Sequence, residues 1–469
     1  MFEDRLAEIE ALAREQGLDF FQVDFQTVPH DIMAEVAAYG LPTRARHWSY
    51  GKVYSSQRLF GEMGLSKIYE IVLNNDPSLA FLLDTNPEIA NLLVAAHVFA
   101  HVDFFKNNGL FANTNRRMIN DAMHHALRVD AYIERYGLEP VEHLMDIGFA
   151  LDRHIDPHKG IYREPYLKRR VVEKEKPSLP YEDLLGNAKP SVTYVIEGEK
   201  IPPHPENDLL WFLKTYAKIE DWQRDVLEIQ REESYYFYPQ FLTKILNEGW
   251  ASYWHAELFY QWDGVKEDEM IEFARLHAGV VNPGGRFQVN PYYLGYTILV
   301  DIEKRWDKKR DEWLAKDKKG EKTEGSLPMT GREKIFEVRR TEDDISLIRN
   351  YLTIDLVRDL ELFSYGEKQQ GKPKPSVNNT DIMITSREHE AVIESLVRPR
   401  ENYGVPRIVV KDVVSNRLYL EHLDRETTFL DRTFTSKTLS YIAELWKNSV
   451  SLLTKDENGN DASLVAQPI

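Results

Sequence analysis

The sequence contains no cysteine. This excludes disulfides, thiolate metal sites and a cysteine nucleophile, so any metal must be held by histidine and carboxylate. Positive charge is also in short supply. The 59 Lys and Arg residues against 76 Asp and Glu give a formal net charge of −17, which argues against non-specific binding to nucleic acid or anionic membrane. No run of about 18 apolar residues of the kind that spans a bilayer stands out. The opening Met1-Phe2-Glu3-Asp4-Arg5 is acidic and lacks the apolar core of a secretory signal. The expected location is the cytoplasm. Phosphate loops of the GxxxxGK[ST] or GxGxxG type and the GxSxG nucleophile elbow are missing as well, which removes the corresponding nucleotide-binding and serine-hydrolase classes.

What is present is enough apolar material for a sizeable core. Hydrophobic residues make up 42% and aromatics 12% of 469 residues, a length that suits two or three domains of about 100–200 residues each. Helical periodicity dominates, as in Leu6, Ile9, Leu12 and Ala13. Residues 66–73 read as a strand stopped by Asn74-Asn75-Asp76-Pro77. Asn86-Pro87-Glu88 predicts a helix start, with Asn86 as cap and the helix running to about Asn107. Charges and prolines crowd residues 163–206, which predicts a long loop or insertion. Further helices are expected over 206–231, 239–261, 265–279 and 291–317, and Leu352–Leu362 is apolar enough for a strand. The expected fold class is α+β, mostly α. A main domain covers 1–317, a linker 318–334 and a smaller α+β domain 335–469.

The strongest chemical signal is His97-Val98-Phe99-Ala100-His101. Residues four apart on a helix share a face, so both imidazoles can address one metal ion, as in the HExxH zinc motif. Position 98 is valine, so the usual general base is missing, and another carboxylate must activate water if the site is catalytic. Glu70, on the preceding strand, is one candidate, and a metal could itself lower the pKa of the water. Asp103 points elsewhere on the helix and could support a ligand from behind. His255, seven residues after Glu248, falls on the same helical face, and Tyr292 could donate to an oxyanion. The plain alternative is a pair of core histidines and packed tyrosines without a metal.

The stretch Asn247-Glu248-Gly249-Trp250-Ala251 resembles the asparagine-glutamate-glycine-aromatic-alanine segment of gluzincin aminopeptidases. That resemblance makes Glu248 the third zinc ligand beside His97 and His101 and implies a gluzincin-like core. A second resemblance is longer. The runs Arg46–Lys52, Lys67–Pro77, Ala96–Asn108, Asp152–Asp156, Tyr238–Gln240 and Asn247–His255 are similar to the stage V sporulation protein R (SpoVR) family over nearly the whole chain. It implies a role in forming the spore cortex, a peptidoglycan layer, and in relatives a stress-response association with a kinase-like AAA+ protein. Two expectations follow. One is a zinc-dependent amide hydrolase in which Glu70 or another carboxylate takes a proton and Tyr292 or His255 steadies an oxyanion. The other is a non-enzymatic regulator that works with that partner or with cell-wall enzymes.

Overall fold

The structure is a computed structural model that describes every residue except 63–69, 168, 176–191, 199, 286–287, 320–324, 368–381, 426, 457–458 and 469. The described residues form sixteen α-helices and thirteen strands in small sheets, a mostly-α member of the α+β class. In chain order the elements begin α1 (Phe2–Glu15), β1 (Val23–Val28), α2 (His30–Tyr39), α3 (Trp48–Glu62), β2 (Glu70–Leu73), β3 (Ser78–Leu83), α4 (Glu88–Asn107), α5 (Met118–Tyr136) and α6 (Leu138–Leu151). They continue with β4 (Arg169–Glu175), β5 (Val192–Gly198), α7 (Leu209–Tyr216), α8 (Asp221–Leu242), α9 (Lys244–Gln261), α10 (Glu267–Val280), β6 (Gly284–Gly285), β7 (Gln288–Val289) and α11 (Pro291–Lys318). The last are α12 (Gly331–Thr341), α13 (Asp344–Tyr351), α14 (Ile354–Asp359), β8 (Ser364–Glu367), β9 (Ile382–Ser386), α15 (His389–Val397), β10 (Ile408–Val414), β11 (Arg417–His422), α16 (Arg432–Trp446), β12 (Val450–Lys455) and β13 (Asp461–Ala466).

The chain divides into two compact units, Met1–Ala131 with Tyr236–Gly404, and Tyr132–Tyr235 with Val405–Ile469. This differs from the boundary at 318–334 expected from composition. Ile335, Val338, Leu347, Ile348, Val392 and Val397 belong to the same buried cluster as Phe99 and Trp250. A polar connection marks where the chain surfaces, whereas the core is decided by which apolar faces meet. Leu352–Leu362, expected as a strand, holds the short helix α14, with Thr353 accepting from Leu356 N at its start. Of the strand expected over 66–73, residues 66–69 lie outside the described residues, as do parts of the 163–206 segment and of the 318–334 linker.

The first unit is built around α4. Every residue from Ile89 to Phe105 is buried, which matches a helix that is apolar on all sides and enclosed by its neighbours. It is the one helix among the described residues long and apolar enough to cross a membrane, yet 94% of that window is buried inside the fold, as in a core helix. Pro87, not Asn86, stands at its N-cap, and the Asn86 amide instead donates to Asn91 Oδ1 at 3.0 Å. Beside it lies a three-stranded sheet of order β1-β3-β2, with β1 parallel and β2 antiparallel to β3. Glu70, at the start of β2, pairs with Leu82.

Helix α9 is held at both faces. No side chain of its own caps its N-terminus. The Asp344 carboxylate of α13 accepts from Ile245 N and Leu246 N, each at 2.9 Å, and satisfies two of the free amides there. On the other face Gly249 meets Gly295 of α11 so closely that a Cβ on Gly249 would lie 2.4 Å from the Gly295 carbonyl carbon. Asp103 of α4 is fully buried and accepts from Trp250 Nε1 (2.9 Å), Asp19 N (2.8 Å) and Arg339 Nη1 (3.2 Å). That set joins α4, α9 and α12, and places Asp103 in the packing of the helices.

The second unit carries a four-stranded sheet of order β10-β11-β12-β13, antiparallel except between β11 and β12. Phe212 stacks on Trp446 with centroids 5.9 Å apart. Buried charges there are paired. Asp208 bonds Arg231 at 2.9 Å, and Glu206 accepts from Lys159 Nζ and Arg163 Nη1 at 3.0 Å each and from the Tyr166 hydroxyl.

Candidate metal centre

His97 and His101 project from one face of α4, with ring centroids 4.6 Å apart. Helix α9 packs against α4 and brings Glu248 to them. Glu248 Oε2 lies 3.6 Å from His97 Nε2 and 3.4 Å from His101 Nε2. Strand β2 adds Glu70, whose Oε1 is 3.8 Å from His97 Nε2. Donor atoms of Glu70, His97 and His101 all fall within 4.8 Å of one another and form a possible metal-binding triad.

The tautomers make this convergence informative. His101 Nδ1 is 2.9 Å from Asn247 Oδ1. An amide oxygen only accepts, so Nδ1 carries the proton of a neutral ring and the Nε2 lone pair faces Glu248. His97 Nδ1 lies 2.9 Å from His255 Nδ1, and its Nε2 points to the two carboxylates. His97 Nε2 and Glu248 Oε2 are buried and have no hydrogen-bond partner. Such atoms cost stability unless a proton or a cation lies among them. Zinc bonds of about 2.0–2.2 Å in tetrahedral geometry separate neighbouring donor atoms by roughly 3.3–3.6 Å, and the two Glu248 contacts match that spacing. The residues fit a divalent metal.

Surrounding groups hold this arrangement. Burial alone would raise the pKa of Glu248, but the adjoining His101 and His97 and the charge of Lys244 outweigh it and hold the carboxyl well below its usual range. Lys244 Nζ bonds the other oxygen, Oε1, at 2.5 Å. His255 is buried, and its pKa is depressed by that burial and by the neighbouring His97, His277 and His101. Its Nε2 lies 2.8 Å from His277 Nδ1 of α10. With both nitrogens engaged, His255 braces His97 rather than facing a reacting atom. Tyr292, at the start of α11, stacks on His97 with centroids 6.1 Å apart. Burial, then Glu248 and Glu70, raise its pKa, so the hydroxyl keeps its proton.

Glu70, His97, His101, Glu248, His255 and Tyr292, all expected from the sequence, thus meet in one place. Lys244, Asn247 and His277 carried no assigned role. Lys244 stands four residues before Glu248 on the same helical face, a spacing that signals an ion pair. His277 had no local signal, because α10 reaches the site only through folding. A cavity of about 640 Å³ opens on the centre, and Glu70, His97, His255 and Tyr292 are among its lining residues.

Residues 1–405 match the family described as SpoVR like protein. A relative, "Uncharacterized protein YcgB" of Escherichia coli (strain K12), is 29% identical over 483 residues, covering 97% of this chain and 92% of that protein. No solved structure matches the fold. With the family match running through every residue of the metal centre, the chain belongs to the SpoVR family.

Proposed function

We propose that this chain is a zinc-dependent amide hydrolase that supports assembly of spore-cortex or cell-wall peptidoglycan by acting on a cytoplasmic precursor. Membership of the SpoVR family supports the sporulation-related setting. The observation that carries the chemistry is the meeting of His97 Nε2, His101 Nε2 and Glu248 Oε2 within 3.4–3.6 Å, with the Glu70 carboxylate 3.8 Å from His97. His97, His101 and Glu248 hold the metal, which when bound supplies a Lewis acid for the amide carbonyl and for water. Glu70 serves as the base and takes the proton from the attacking water. It comes from a strand and replaces the carboxylate that Val98 cannot provide. The Tyr292 hydroxyl donates to the developing oxyanion. His255, tied to His277, holds the His97 ring in place.

The test is metal content and amide hydrolysis of protein purified without a histidine tag, for the wild type, His97→Ala, Glu248→Ala and Glu70→Gln. About one equivalent of zinc is expected in the wild type and in Glu70→Gln, with the metal lost from the other two and hydrolysis lost from all three variants. A wild type without metal refutes the proposal. Loss of zinc from Glu70→Gln would make Glu70 a fourth ligand, closing the site to water. One observation favours a second reading, a regulator working with a kinase-like AAA+ protein or a cell-wall enzyme: the buried Val98 leaves α4 without the motif's own base. On that reading Glu70→Gln behaves as wild type in the cell.

A further inference from the structure

The cavity beside the metal centre has walls whose chemistry narrows its occupant. One wall is the first half of α4, with Ala90, Leu93 and Val94. The other is the last half of α10, with Leu276 and Val280. Glu70, His97 and Tyr292 of the candidate centre line the cavity as well. At about 640 Å³ the space matches a small-molecule site, for which about 300–1,000 Å³ is usual.

We infer that this cleft takes a short, neutral, aliphatic acyl or aminoacyl group, with the reacting amide held at the metal centre. The inference rests on the hydrolase reading above and adds the substrate class. Three observations carry it. The walls nearest the centre are aliphatic, so they reward a branched or straight hydrocarbon side chain. The one charged pair among the described lining residues away from the centre is Glu272 and Arg275, 3.9 Å apart, and it sits at the rim with side chains 39% and 82% exposed. Its charges offset each other, so this pair offers no net positive field to an anionic polymer. The aromatic rings among the described lining residues are His97, His255 and Tyr292, all gathered at the centre. Among the described residues the outer cleft therefore offers no flat face for a sugar ring to stack on, and peptide rather than glycan chemistry fits them.

Gly279 adds the feature that makes the inference testable. It lines the cleft, and a Cβ placed on it meets nothing within 4 Å. A larger side chain there grows into open space without displacing the fold. Gly279 is exposed and so stands at the mouth of the cleft, where a larger side chain narrows the entrance.

The experiment uses the full chain loaded with zinc and two probes, acetohydroxamate and 4-methylpentanohydroxamate, with affinities measured by calorimetry and zinc content measured on the same samples. Both probes present the same metal-binding group and differ only in aliphatic length. The longer probe is expected to bind at least about tenfold tighter. In Gly279→Leu that advantage should disappear, while zinc content, melting temperature and acetohydroxamate affinity stay as in the wild type. Equal affinities for the two probes in zinc-loaded wild type, or an undiminished advantage in Gly279→Leu, overturn the cleft inference and leave the metal centre standing. Failure to load zinc overturns both.

Discussion

Replacing Gly249 with alanine tests how closely α9 and α11 are packed, because two physical effects predict opposite signs. Gly249 lies inside a helix, where alanine is better than glycine by about 1 kcal/mol, so propensity alone predicts stabilisation. The structure predicts the reverse. The new methyl group would sit 2.4 Å from the Gly295 carbonyl carbon, 2.5 Å from its Cα and 2.7 Å from Tyr296 N. These are backbone atoms and cannot rotate away. Restoring an ordinary contact requires the helices to part by about 1 Å, and overpacking of this kind costs about 1–3 kcal/mol or more. The facing Gly295 is bounded in turn by Ile245 O, 2.1 Å from its own would-be Cβ, so it leaves no slack. Net destabilisation of about 2 kcal/mol is expected, and zinc affinity should fall with it because Glu248 is the adjacent residue. Urea unfolding followed by tryptophan fluorescence, with zinc titration alongside, measures both. Gly279→Ala is the control: it meets open space and should be neutral or stabilising by up to about 1 kcal/mol. A Gly249→Ala variant as stable as the wild type would refute the close-packing argument.

Asp103→Ala removes the acceptor shared by Trp250 Nε1, Asp19 N and Arg339, leaving a buried guanidinium without its carboxylate. A loss of about 3–5 kcal/mol in urea unfolding is expected, and Arg339→Met in the same background should recover part of it. The Arg5–Glu269 pair supplies a pH-dependent prediction. The hydrogen bond from Arg5 holds Glu269 near a pKa of about 2 against its usual 4.5. A depressed carboxyl pKa means that the unfolded chain binds more protons between those values, so the stabilisation is complete above pH 4.5 and is lost as pH falls towards 2. The ceiling of about 3 kcal/mol drops to about 1–2 kcal/mol with solvent screening. Glu269→Gln should therefore be less stable than the wild type at pH 7 and equal to it near pH 2.

The local chemistry of the site was readable because helical spacing is a local property. His97 and His101 share a face whatever surrounds them, and His255 follows Glu248 at a spacing that keeps both on one side of α9. The glutamate in Asn247-Glu248-Gly249 drew attention through its motif. The reason for the glycine lies in the tertiary structure, where Gly295 packs against it. A short apolar run such as Leu352–Leu362 has no decisive period, and in the structure the Thr353 cap starts a helix over Ile354–Asp359 rather than a strand. A polar segment such as 318–334 records exposure and carries no information about which core its flanking helices join.

The sequence by itself determined the mostly-α character, the absence of thiolate chemistry and the two histidines on one helical face. These follow from composition and from the period of the backbone. Only the tertiary structure decided that Glu70 and Glu248 converge on those histidines, that Asp344 caps α9 from another helix, and that His277 completes the chain behind His97. Those partners lie tens to more than a hundred residues apart. Their distances depend on how buried apolar faces pack, and a one-dimensional pattern does not encode that packing residue by residue.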